Sequence, residues 1–156
     1  MIVFERIVQE RMLPAVTPTH AEDAPPAAGA LRAGGIGAIE ITLRTRAGIP
    51  AIERVTADTD ILVGAGTVRT VRDIEPVARA GAAFTVAPGL DDDVLRAAAN
   101  RGSPTLPGIA AATGAQRAMR AGGWRLPWSA VEARDHAAIE TPAREASQRL
   151  RAEAAT

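Results

Sequence analysis

An acid and a guanidinium share one apolar run. In "GAIEITLRT", residues 37–45, Glu40 stands at the centre of a segment that otherwise reads as a buried strand, and Arg44 lies near its end. A carboxylate taken out of water holds its proton to higher pH, which suits it to giving and taking protons near neutrality. An arginine at a strand end keeps its charge and can grip a carboxylate with two hydrogen bonds. On residue types alone, the two also fit an ordinary strand-face ion pair, since structural pairs perturb pKa values as well.

Other chemistries find less support. His20 and His136 are isolated, with no His-x-x-x-His or His-x-x-Glu spacing. Asp91, Asp92 and Asp93 sit together where a helix should open, which reads as a cap favoured by the helix dipole, so no metal site is expected. A dinucleotide fingerprint needs Gly-x-Gly-x-x-Gly after the first strand. Gly34, Gly35 and Gly37 precede a strand instead, and "GAGT" (64–67) lacks the third glycine. There is no cysteine, so disulfides, thiolate sites and a Cys nucleophile are excluded. All 18 basic residues are arginine, so the chain has no side-chain amine.

Composition fits a single domain. The chain has 156 residues, 47% hydrophobic and 23% charged, with a formal net charge of +0. That balance recommends neither a nucleic-acid partner nor a membrane surface. No apolar run approaches the roughly 18 residues that span a bilayer. Glu5 and Arg6 interrupt any signal-peptide pattern, so a cytoplasmic protein is expected.

Short β-branched runs alternate with alanine-rich helical stretches. Strands are expected at 12–18, 38–45, 61–68, 84–90 and 103–109, each followed by a helical segment. This repeat, at a period of about 20 to 25 residues, marks βα units on a parallel sheet. Glu40 to Arg44, Thr67, Pro88 and Pro107 fall at or near strand ends, where a (β/α) barrel gathers its chemistry, so the barrel is preferred to the doubly wound sheet. A terminal helix is expected from about residue 136, interrupted by Pro142. The expected architecture is an incomplete TIM-type barrel of about five parallel βα units plus a C-terminal helix, three units short of closure.

The motifs "GGIGAIEITLRT", "LVGAGTV", "FTVAPGL" and "PTLPGI", in this order and spacing, resemble the 2-dehydro-3-deoxy-phosphogluconate aldolase family (KDPG/KHG aldolases). The likeness runs from about residue 5 to residue 121. It implies a (β/α)₈ barrel, usually trimeric, that reversibly cleaves a 2-keto-3-deoxy sugar acid phosphate to pyruvate and glyceraldehyde 3-phosphate. It also implies a lysine Schiff base and no metal or other cofactor. Position by position, Glu40 resembles the general acid/base and Arg44 the residue that holds the acid and the substrate's carboxylate. Thr67 resembles a substrate contact and Pro88 a pocket wall. On residue type alone Thr67 could instead cap the following helix.

The resemblance breaks after "PTLPGI". The family continues into a sixth strand, Phe-Lys-Phe-Phe-Pro, whose lysine forms the Schiff base, and a seventh that ends in a phosphate loop. Here "AMRAG" (118–122) passes straight to "GWRLPWSAVEARDHAAIETPAREA", which resembles the family's last turn and closing helix. An internal loss near Gly122 and Gly123 that removes strands six and seven and most of eight accounts for this. The chain then divides into residues 1–121, carrying five units, and 122–156, a remnant of the last unit, with Trp124 and Trp128 able to plug the open side. Arginine cannot replace the lysine, because it stays protonated. The expected partners are a small keto acid and either a second copy or an intact homologue, with no lysine-based turnover by this chain alone.

Overall fold

The computed structural model of the chain describes residues 3–10, 13–109 and 126–127. Its elements run α1 (Val3–Glu10), β1 (Ala15–Val16), α2 (Ala24–Ala33), β2 (Ala38–Thr42), α3 (Gly48–Asp58), β3 (Leu62–Gly66), α4 (Val71–Arg79), β4 (Phe84–Ala87), α5 (Asp92–Asn100), β5 (Thr105–Ile109) and β6 (Leu126–Pro127), with a 3₁₀ turn at Ala21–Asp23. The helices expected after β5 and from residue 136, with Gly122, Trp124, Trp128 and His136, lie outside the described residues.

Every neighbouring pair of strands is parallel, and the sheet order is β1-β2-β3-β4-β5-β6. A doubly wound sheet reverses its order at a switch point; this one winds in one direction. It is an arc of an α/β barrel, and among the described residues no pairing joins β6 back to β1. No helix among the described residues is long and apolar enough to cross a membrane.

Three local outcomes differ from the sequence expectation. The first helical stretch splits, because Pro25 and Pro26 lack the N–H groups that an interior turn needs and so sit in the first turn of α2. β2 ends at Thr42, and Leu43 makes one last ladder bond, its N–H donating to the Gly66 carbonyl at 2.8 Å, before the chain turns away. Leu126 and Pro127 form a sixth strand, in register with Gly108 and Ile109 of β5.

Residues two apart on a strand share a face, and here the two faces bury different things. Ile39, Ile41, Val63 and Ala65 point outward into one cluster with Ala28, Ala51, Ile52, Val55, Ile74, Val77, Val94 and Ala98 of the helices. Ala38, Leu62 and Phe84 point inward, where Val3 and Ile7 of α1 and Leu13 cover them. That inner cluster is the barrel floor. Fully burying Phe84 contributes about 1.5–3 kcal/mol relative to leaving it exposed.

Candidate active site

The site is assembled at the other end of the same inner face. Glu40 follows Ala38 by two residues on β2 and so turns inward. Its register partners are Ala15 on β1 and Gly64 on β3, both too small to fill the space around it. Two residues further along, Thr42 is opposite Gly66, and its hydroxyl shares a 2.8 Å hydrogen bond with that of Thr17. Glu40, Thr42 and Gly66 therefore form the mouth of the arc, with Phe84 and Leu62 beneath them.

Glu40 is half-buried, and burial pushes its carboxyl above the ordinary glutamate value, with the Arg44 charge opposing part of that rise. The two side chains are not in contact: among the described residues neither makes a hydrogen bond or an ion pair. The strand-face ion pair is thus absent, and so is the grip on the acid that the resemblance implied for Arg44. The cause is the early end of β2, which carries Arg44 into an exposed turn. That turn is held between its neighbours, by Leu43 on Gly66 and by the Thr45 hydroxyl donating to the Pro18 carbonyl. Arg44 is left solvated, charged and close enough to act on Glu40 through space.

Thr67 follows Gly66 with φ at 61°, in the left-handed region. A β-branched side chain is a genuine outlier there, at a cost of order 1–3 kcal/mol. It does not cap a helix. Val68 still donates to the Val86 carbonyl, at 3.0 Å, so α4 begins only after Thr70, with the Asp73 carboxylate accepting from the N–H groups of Arg69 and Thr70. Pro88 is exposed and lines a hollow of about 230 Å³ with Val68, Arg69, Ala87, Gly89, Leu90 and Asp91. Glu40, Arg44 and Thr67 stand outside that hollow. The structure brings Glu40, Arg44 and Thr67 to one mouth and places Pro88 beside it.

Asp91 caps α5, accepting from Asp93 and Val94 N–H at 2.9 and 3.1 Å, as its place in the acidic triplet suggested. Among the described residues no group of three or more His, Asp or Glu side chains could hold a metal ion.

Two members of the mouth escaped the sequence reading. Thr42 was visible in principle, since it lies two residues from Glu40 on one strand. Gly66 was not, because its role depends on the register between β2 and β3.

Residues 3–139 match the KDPG and KHG aldolase family. The chain belongs to this family. It is 41% identical over 121 residues to the 2-dehydro-3-deoxy-phosphogluconate aldolase of Treponema pallidum, covering 77% of this chain and 58% of that relative. Among solved structures it resembles the 4-hydroxy-2-oxoglutarate/2-dehydro-3-deoxyphosphogluconate aldolase from TTHB1, at 40% identity and a TM-score of 0.72, over 78% of this chain and 60% of that one. The KDPG aldolase of Legionella pneumophila, solved with pyruvate captured as a covalent carbinolamine, matches at 38% identity and a TM-score of 0.67, over 70% of this chain and 54% of that one. The chain thus spans little more than half the length of these aldolases.

Proposed function

We propose that this family member binds a small 2-keto acid, pyruvate or a 2-keto-3-deoxy sugar acid, at the mouth formed by β2 and β3. The observation that carries the reading is a half-buried carboxyl with a raised pKa, Glu40, facing a barrel mouth beside a solvated arginine. Arg44 takes the ligand's carboxylate, as its fixed charge and forked donors allow. Thr67, held in a strained conformation beside Gly66, supplies a hydroxyl to the same group. Glu40 gives or takes a proton at the keto-acid carbon skeleton, and Pro88 bounds the side on which a longer ligand would extend. Capture of pyruvate by the related Legionella enzyme supports the ligand class.

The same reading withholds aldol cleavage from the chain acting alone. A class I aldolase needs a primary amine with a free lone pair, and these 156 residues include no lysine. Glu40 then has a proton to move but no covalent adduct on which to move it. The test combines calorimetric titration of pyruvate with borohydride reduction and mass spectrometry. The expected result is saturable binding, weakened roughly tenfold in Glu40→Gln and in Arg44→Ala, with no reduced adduct, tenfold being about 1.4 kcal/mol. Absence of binding, or a pyruvate-sized mass increase after reduction, would refute the reading.

The partial length of the match favours one further arrangement, in which a longer homologue supplies an amine to this chain's Glu40 across an interface. It predicts pyruvate release from 2-keto-3-deoxy-6-phosphogluconate in mixtures of this chain with a lysine-depleted but Glu-competent partner to be nil, and with a lysine-bearing, Glu-depleted partner to be restored.

A further inference from the structure

Glycines in strands need a reason, since each costs stability relative to a residue with a side chain. Gly64 and Gly66 both sit in the buried β3, and neither has the positive φ that would require glycine. What requires it is a neighbour. A β-carbon on Gly64 would overlap the ring of Phe84, and one on Gly66 would overlap the carboxylate, Cδ and Cγ of Glu40. The Glu40 side chain lies directly across the bare backbone of Gly66.

We infer that Gly66 is a positioning residue: its missing side chain is the seat that holds the Glu40 carboxylate at the barrel mouth. The inference deepens the proposed binding site and rests on it for its functional consequence, but the seat itself is a statement about packing. The two glycines differ in what a methyl group would displace. At Gly64 it would meet the ring of Phe84, which has no exposed surface and is packed against Ala38 and Leu62. At Gly66 it would meet the free end of a flexible side chain that makes no hydrogen bond among the described residues. The first collision has nowhere to go and should damage the fold. The second is relieved by swinging the carboxylate outward, toward water and Arg44, leaving the fold whole and the acid misplaced.

The experiment compares Gly64→Ala, Gly66→Ala, Glu40→Ala and the double variant Glu40→Ala/Gly66→Ala. Thermal melting, pyruvate titration and the ¹³C resonance of the Glu40 side-chain carboxyl followed against pH are the readouts. Gly66→Ala is expected to melt well above Gly64→Ala. Its Glu40 titration should fall back toward the ordinary glutamate value, because the displaced carboxylate regains water. Pyruvate binding should weaken roughly tenfold in Gly66→Ala, yet change less than about twofold when Gly66→Ala is added to Glu40→Ala, since coupled residues are not additive.

A Glu40 titration unmoved by Gly66→Ala would overturn the inference. Should Gly66→Ala fail to fold, the double variant decides: with the carboxylate gone the methyl has room, so folding is restored if the seat is real. An unfolded double variant would overturn it. The proposed function fails separately, by Glu40→Gln leaving pyruvate binding intact. The titration of Glu40 needs no ligand and so still tests the seat in that event.

Discussion

The floor and the mouth of this arc are built by the same strands, one turn of the pleat apart, and they do opposite things with a carboxylate-sized space. At the floor, Ala38, Leu62 and Phe84 interlock beneath α1, and the gap left by Gly64 is filled by an aromatic ring. At the mouth, the gap left by Gly66 is filled by Glu40, whose carboxyl is pushed toward its neutral form by burial and finds no hydrogen-bond partner among the described residues. The floor uses shape complementarity to hold the strands together. The mouth places a polar group where its charged form is disfavoured, which is destabilising on its own.

The contrast predicts that stability and binding can be removed separately. The largest effect belongs to the floor. Phe84→Ala should cost about 3–5 kcal/mol by chemical denaturation, while the fraction that remains folded binds pyruvate as before. Loss of binding without loss of stability would break the division.

Glu40→Gln should do the reverse, and its signature is in the pH dependence. The folded-state pKa of Glu40 is raised, so between the ordinary glutamate value and that raised value the folded protein holds more protons than the unfolded chain. Stability contributed by the neutral carboxyl is full below that window and declines as pH rises through it. Glu40→Gln stays neutral, so its stability relative to the parent should climb over the same range. A difference that is flat with pH, or of opposite sign, would show that Glu40 is not desolvated.

Thr67→Gly sharpens the comparison at smaller scale. Relief of the left-handed strain should exceed the extra backbone entropy that glycine loses on folding, for a net gain of about 1 kcal/mol, while pyruvate binding weakens. A loss of stability would mean that the threonine is held by packing and not against strain. The smallest effect is expected at an exposed surface pair. Arg32→Ala removes the exposed ion pair with Asp60 at 3.1 Å and should leave melting and pyruvate binding within error.

Much of this division is legible in the sequence alone. Glu40 announced itself because an acid in an alternating apolar strand must face either the helices or the interior, and the helical side is taken by Ile39 and Ile41. The βα repeat, the first five strand positions and the cap at Asp91 follow from periodicity and short-range chemistry that operate within a few residues. Family membership was legible in four motifs. What could not be read depends on how strands meet. That Thr42 lies beside Thr17, that Glu40 covers Gly66 and that Phe84 covers Gly64 are consequences of register between segments distant in the chain. That Arg44 forms no ion pair with Glu40 has a related cause, since β2 stops two residues before it and turns it toward solvent. The sixth strand was missed because two residues, Leu126 and Pro127, carry no periodic signal at all.

The most direct test of the account is the titration of the Glu40 carboxyl by ¹³C NMR, in the absence and presence of saturating pyruvate. A midpoint above the ordinary glutamate value, moving higher still when the ligand's negative charge is bound nearby and engages Arg44, is the predicted result. A midpoint at the ordinary value that pyruvate does not move would contradict it, and would reduce Glu40 to a solvated acid on the edge of an unfinished barrel.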